Sequence, residues 1–260
     1  MTDSDWMTAS FVVDSPSMRA VTVNRDVDYH GGDPDLRMDV YRPIGTGPWP
    51  VVVFVHGEGD AEQVRHIKDT PLYAGWGRLV ASLGMVGVVF TPRSWDRLRH
   101  VARKVADVEA AMRFVRAKGH SWGADPSRFA VWAGSAGVPV GVSIAAREGA
   151  SCCVAYYGPM DLRPYGDDPR LADVSPMALL EDGVALPPLL VVRCGQDAEE
   201  LNQSIDDFTN AAWDRDLPVE LIAYEDGHHA FEVVDHVDES RQVVAQTVEF
   251  LQEHLGLGPG

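Results

Sequence analysis

The chain has 260 residues, 45% of them apolar, with 22 Lys and Arg against 39 Asp and Glu, a formal net charge of −17. That length and apolar share suit one large α/β domain, while the acidic excess repels phosphates and so argues against nucleic acid and anionic membranes as ligands. Three cysteines, two of them adjacent, imply no disulfide framework, and Cys152 and Cys153 lie in an apolar run where small buried thiols are ordinary. The amino terminus has no basic segment leading into an apolar one, and no uncharged apolar run approaches the ~20 residues of a membrane helix. The expectation is a soluble cytoplasmic protein, with a homodimer allowed and neither nucleic acid nor membrane as partner.

Residues 1–17 are polar with scattered apolars and a Ser-Pro pair, so they read as a loosely held extension to a single domain over 18–260. Arg19 to Asp28 alternates, His30-Gly-Gly-Asp-Pro34 is turn chemistry, and Leu36 to Tyr41 alternates again, which predicts an antiparallel entry hairpin. The pattern then changes to wholly apolar runs, beginning with Val51 to Val55 and recurring at Met85 to Phe90, Phe129 to Ala133, Cys152 to Tyr157, Leu189 to Cys194 and Val219 to Tyr224. Runs without a polar face must be covered on both sides. Between them lie helical patterns, such as Val101, Val105, Val108, Met112 and Val115, and a closing helix spans about Arg241 to Leu255 before a Gly-rich tail. Strand–helix–strand repetition predicts a mostly parallel sheet of about eight strands with helices on both faces. The proline-rich interval 158–188 exceeds a minimal crossover and reads as an insertion that shapes a pocket or as a surface loop with a short helix.

The sharpest local signal is Val131-Trp-Ala-Gly-Ser-Ala-Gly-Val138, a serine between small residues where an apolar strand ends and a helix begins. This is the context of a nucleophile elbow, in which a tight strand-to-helix turn lifts the hydroxyl above the sheet edge and aims the first helical N–H groups at the group it attacks. Ala133 stands where glycine is commoner, and an ordinary Ser N-cap fits the same pattern. The third strand runs into His56-Gly-Glu-Gly59, the position from which an α/β-hydrolase loop donates one oxyanion N–H. Glu58 is the expected donor through its backbone, Ala136 the second donor, and His56 a structural histidine. A serine hydroxyl needs an imidazole to take its proton and a carboxylate to orient that ring. Cys194-Gly-Gln-Asp-Ala198 and Tyr224-Glu-Asp-Gly-His-His-Ala-Phe231 follow the next strands in the required order, offering Asp197 as acid and His228 or His229 as base.

Over residues 20–255 the chain resembles the dienelactone-hydrolase-like branch of the α/β-hydrolase superfamily, through His56-Gly-Glu-Gly59, Ala133-Gly-Ser-Ala-Gly137, Gly195-Gln-Asp197 and Gly227-His-His-Ala-Phe231. The resemblance implies an α/β-hydrolase fold and, through its Gly-x-His-x-Phe arrangement, His229 as the base, with His228 a neighbour facing solvent or substrate. The namesake enzymes use cysteine, whereas this chain has Ser135, which moves the expectation toward ester or lactone hydrolysis through Ser135, Asp197 and His229. Asp161, after the Cys152 strand, is the alternative acid. Asp226 reads as solvated, and Asp107 and Asp125 as surface pairing and capping groups. Tyr73, Trp76 and Trp132, with His228, are pocket candidates, although aromatics near strands also build cores. His229, Glu232 and His236 match no zinc motif, no Walker loop or Gly-x-Gly-x-x-Gly follows a first strand, and no metal or cofactor is expected. An acyl-transferring or cyclising enzyme, an oligopeptidase, and a non-catalytic binding protein on the same fold are the alternatives.

Overall fold

The computed structural model describes residues 5–94 and 100–258, so residues 1–4 of the expected extension and the last two of the tail lie outside the described residues. Eight strands form one sheet: β1 (Thr22–Asp28), β2 (Arg37–Arg42), β3 (Trp49–Val55), β4 (Val86–Phe90), β5 (Ala124–Gly134), β6 (Cys152–Tyr156), β7 (Leu189–Cys194) and β8 (Val219–Tyr224). Their order is β1-β2-β4-β3-β5-β6-β7-β8. The pairs β1/β2 and β2/β4 are antiparallel and all others parallel.

Strand periodicity divides the core between the two faces. Val51, Val53 and Val55 join the cluster built with the helices Val101–Lys118, Val138–Glu148 and Glu199–Trp213. Val52 and Phe54 join the opposite cluster, built with Pro71–Ser82 and Asp238–His254. Continuous apolarity in β3 therefore reflects cover on both faces, because alternate side chains meet different helices.

Some local expectations change. The Ser15-Pro16 pair starts a helix, Pro16–Ala20, in which the Ser15 hydroxyl accepts the Met18 N–H at 3.3 Å, so β1 begins three residues after the expected Arg19. Nor is the described part of the extension loosely held. Phe11 and Val12 are buried, the Phe11 ring meets Trp76 edge-on at 5.6 Å, and the Val12 N–H donates to the Glu232 carbonyl at 2.7 Å. Gly75 makes room for this strap, since a β-carbon there would lie 2.4 Å from the Phe11 ring. Asp107 is fully buried and chelated by Arg93, with Nε–H donating at 3.0 and 3.1 Å, and is not a surface pairing group. Asp125 does cap locally, accepting from Ser127 and Arg128. All three cysteines are buried and unpaired.

The interval 158–188 folds back onto the sheet. Leu162, Leu171, Val174, Leu179 and Leu180 join the same cluster as the helices Val138–Glu148 and Glu199–Trp213. The interval instead helps to line a separate cavity, with Asp161, Pro164, Tyr165 and Met177. Replacing Phe11 by Ala should weaken docking of the strap by about 3 kcal/mol; limited proteolysis would then cut within residues 5–15 while the far-ultraviolet dichroism spectrum stays that of the parent.

Candidate active site

Ser135 sits between the end of β5 and the helix Val138–Glu148 with φ 54°, a left-handed conformation unfavourable for a residue with a β-carbon. Close backbone approach enforces it. A β-carbon on Gly137 would lie 2.5 and 2.6 Å from the main-chain oxygens of His56 and Val55, and one on Gly57 would lie 2.7 Å from the Ser135 β-carbon. The departure at Ala133 is accommodated across the helix: Gly141 faces it, and a β-carbon there would stand 2.4 Å from the Ala133 methyl.

Above the sheet edge, Ser135 Oγ–H points to His229 Nε2 at 2.9 Å, and His229 Nδ1–H donates to Asp197 Oδ2 at 2.6 Å. The ring is partly exposed and Asp197 largely covered. The turn after β7 and the loop after β8 are bound together, with the Gly195 N–H donating to the Tyr224 carbonyl at 2.8 Å and the Gln196 N–H to the Gly227 carbonyl at 3.0 Å. Those bonds carry the acid and the imidazole as one unit. Asp161, the alternative acid, is held elsewhere: Arg163 Nη2–H donates to it at 2.7 Å and the Ser175 hydroxyl at 2.9 Å. Asp226 is exposed, as expected.

The loop after β3 is braced from below. His56 is buried, its Nδ1–H donates to the Gly57 carbonyl at 2.8 Å, and burial together with the Lys104 ammonium holds its ring well below the usual imidazole range. Lys104 Nζ donates to the His56 carbonyl at 2.9 Å; burial pushes this ammonium down to about 7, against the pull of Glu58 and Asp107. The Glu58 carboxylate accepts from the Ser94 hydroxyl at 3.0 Å and from the Gly59 N–H at 3.2 Å. Ala136 follows Ser135 in the same turn.

A cavity of about 440 Å³ opens over Ser135 and His229. Tyr73 and His228 line it, as expected. Trp76 and Trp132 do not. Both are fully buried with Phe54 and Tyr156 in an aromatic layer beneath the site, ring centroids 4.9 to 6.2 Å apart, because their indoles fill the space between the sheet and the helix Pro71–Ser82. Trp6, Ile67, Leu72 and Val234 supply the apolar wall instead, and Gln196 joins the lining. His228 is exposed and held by Asp235, whose carboxylate accepts its backbone N–H at 2.8 Å and its Nδ1–H at 3.0 Å. His229, Glu232 and His236 do not converge: Glu232 is buried beneath Tyr157, His236 is exposed, and among the described residues no group of three His, Cys, Asp or Glu is placed to hold a metal ion.

The fold compares closely with solved esterases. A thermostable esterase from Pseudomonas putida superposes with a TM-score of 0.73 at 19% identity, covering 94% of this chain and 85% of that one. The fold is that of the α/β-hydrolases. Esterase 2 of Thermogutta terrifontis is similarly related, with a TM-score of 0.71 at 21% identity, covering 94% of this chain and 98% of that one. Brefeldin A esterase, a bacterial homologue of human hormone-sensitive lipase, gives 0.69 at 19% identity, covering 96% and 82%. The BD-FAE family model matches residues 38–153, which contain the His56 loop and Ser135. No curated protein matches the sequence.

The elbow packing gives a direct test. Gly141→Ala should lower stability by about 2 kcal/mol in urea unfolding through its clash with Ala133, and adding Ala133→Gly should return most of that loss.

Proposed function

We propose that this chain is a serine-dependent carboxylic ester hydrolase acting on small esters or lactones, with Ser135 as nucleophile, His229 as base and Asp197 as orienting acid. The observation that carries this reading is the hydrogen-bonded series from the 135 hydroxyl through the 229 imidazole to the 197 carboxylate. His229 takes the serine proton as the hydroxyl attacks the carbonyl carbon, and Asp197 stabilises the imidazolium that forms. The backbone N–H groups of Glu58 and Ala136 receive the oxyanion. Collapse of the tetrahedral adduct expels the alcohol with the proton from His229, and water repeats the sequence on the acyl-enzyme.

The cavity supports neutral substrates. Its wall is apolar at Trp6, Ile67, Leu72 and Val234, no lysine or arginine among the described residues lines it, and the chain's net charge of −17 disfavours anionic esters. The resemblance to the dienelactone-hydrolase-like branch rests on the sequence motifs and leaves lactones within the substrate class. Solved structures of similar fold are esterases, one of them with propionate bound, in keeping with a small acyl group. Three unpaired buried cysteines suit a reducing cytoplasmic setting, and a homodimer is compatible with this reading.

Ser135→Ala should lower kcat/KM on p-nitrophenyl esters by about 10⁴-fold or more without altering the unfolding midpoint. A fluorophosphonate should form one adduct, on Ser135, seen by mass spectrometry; prolonged exposure without an adduct would favour a binding protein. Trp6→Ala should shift acyl preference toward longer chains, raising the octanoate-to-acetate ratio of kcat/KM about tenfold, as read from a p-nitrophenyl ester series.

A further inference from the structure

Glu232 lies three residues after His229 in the short helix Phe231–Val234 and is completely buried. Its carboxylate accepts the Trp76 Nε1–H at 3.2 Å and the Tyr157 hydroxyl, whose oxygen stands 2.9 and 3.1 Å from its two oxygens. Tyr157 in turn lays its ring against His229, with centroids 4.5 Å apart and planes at 54°. Its backbone is held at φ 37°, a strained value at the end of β6. Asp197 thus serves the imidazole through Nδ1, while the Tyr157 ring serves it from another side with Glu232 behind.

A buried carboxylate is costly to keep unless a nearby group gains from its charge. Among the described residues, the titratable groups facing Glu232 are Tyr73 on the helix Pro71–Ser82, Tyr156 and Tyr157 at the end of β6, Cys194 at the end of β7, and His229. The amino-terminal strap contributes only the Val12 N–H, bonded to the Glu232 carbonyl. Of these groups only His229 becomes a cation. Resting on the reading of His229 as general base, we propose that Glu232, acting through Tyr157, is a positioning residue that supports the His229 imidazolium during acyl transfer.

The physics is reciprocal. A phenol that donates to a carboxylate carries more electron density on its ring, and an electron-rich ring face attracts an adjacent cation, most strongly where water is excluded. Burial raises the Glu232 carboxyl to about 7 even with the Trp76 and Tyr157 donors and the His229 charge acting the other way, so the two opposite charges favour each other. No bond to Glu232 forms or breaks, and the proton moves only between Ser135, His229 and the leaving group.

The test is the dependence of kcat and KM on pH, from 5 to 9, with p-nitrophenyl acetate and the full chain. Glu232→Gln, which keeps the shape and a hydrogen-bonding partner for both Trp76 and Tyr157, should lower plateau kcat about tenfold at little-changed KM and move the acid limb to lower pH by about half a unit. Tyr157→Phe should move the limb in the same direction and stands in should the first variant fail to fold. Folded variants whose limb stays at the wild-type position overturn this inference, provided wild type turns over ester and labels at Ser135. A wild type that does neither overturns the hydrolase reading and this inference with it.

Discussion

Everything at the site depends on the crowding of backbone around Ser135. Glycines from three neighbouring strand ends converge on it: Gly57 after β3, Gly137 after β5 and Gly158 after β6, where a β-carbon would lie 2.3 Å from the Ser135 carbonyl oxygen. A left-handed serine costs about 1–3 kcal/mol, and it persists because the surrounding main chain leaves no other arrangement. The strain turns the hydroxyl out of the sheet and toward the imidazole. Ala133 shows how narrow the tolerance is, since its extra methyl is matched by a glycine one helical turn above the elbow.

Near that elbow lie several buried polar groups. Lys104 and Asp107 are almost wholly removed from water, as are His56 and Glu232. Such groups are tolerated when each is hydrogen-bonded. Lys104 and His56 support the loop after β3, and Glu232 sits behind the Tyr157 ring that packs on His229.

The cavity is built from distant pieces of chain. Its apolar wall combines Trp6 from the amino-terminal strap, Ile67 and Leu72 from the segment after β3, and Val234 from beyond the histidine loop. The strap is fixed by a main-chain bond to Glu232, so a segment that lines the cavity is tied to the segment that carries His229.

Period-two and period-3.6 patterns, together with glycine-bounded turns, are local properties, and they alone determined the order of strands and helices, the entry hairpin, the elbow and the sequence positions of Ser135, Asp197 and His229. Their meeting follows from topology, because parallel crossovers deliver every strand end to one edge. Local pattern is silent on which side of a layer an aromatic faces. Trp76 and Trp132 therefore read as pocket residues from sequence although packing between helix and sheet seals them in, and the strap read as loose although Phe11 finds a slot at Gly75. Tyr157 and Glu232 were legible only as a strand end and a stray acid. Their partnership spans 75 residues, and long-range burial, which no periodicity encodes, is the physical quantity that only the tertiary structure decided.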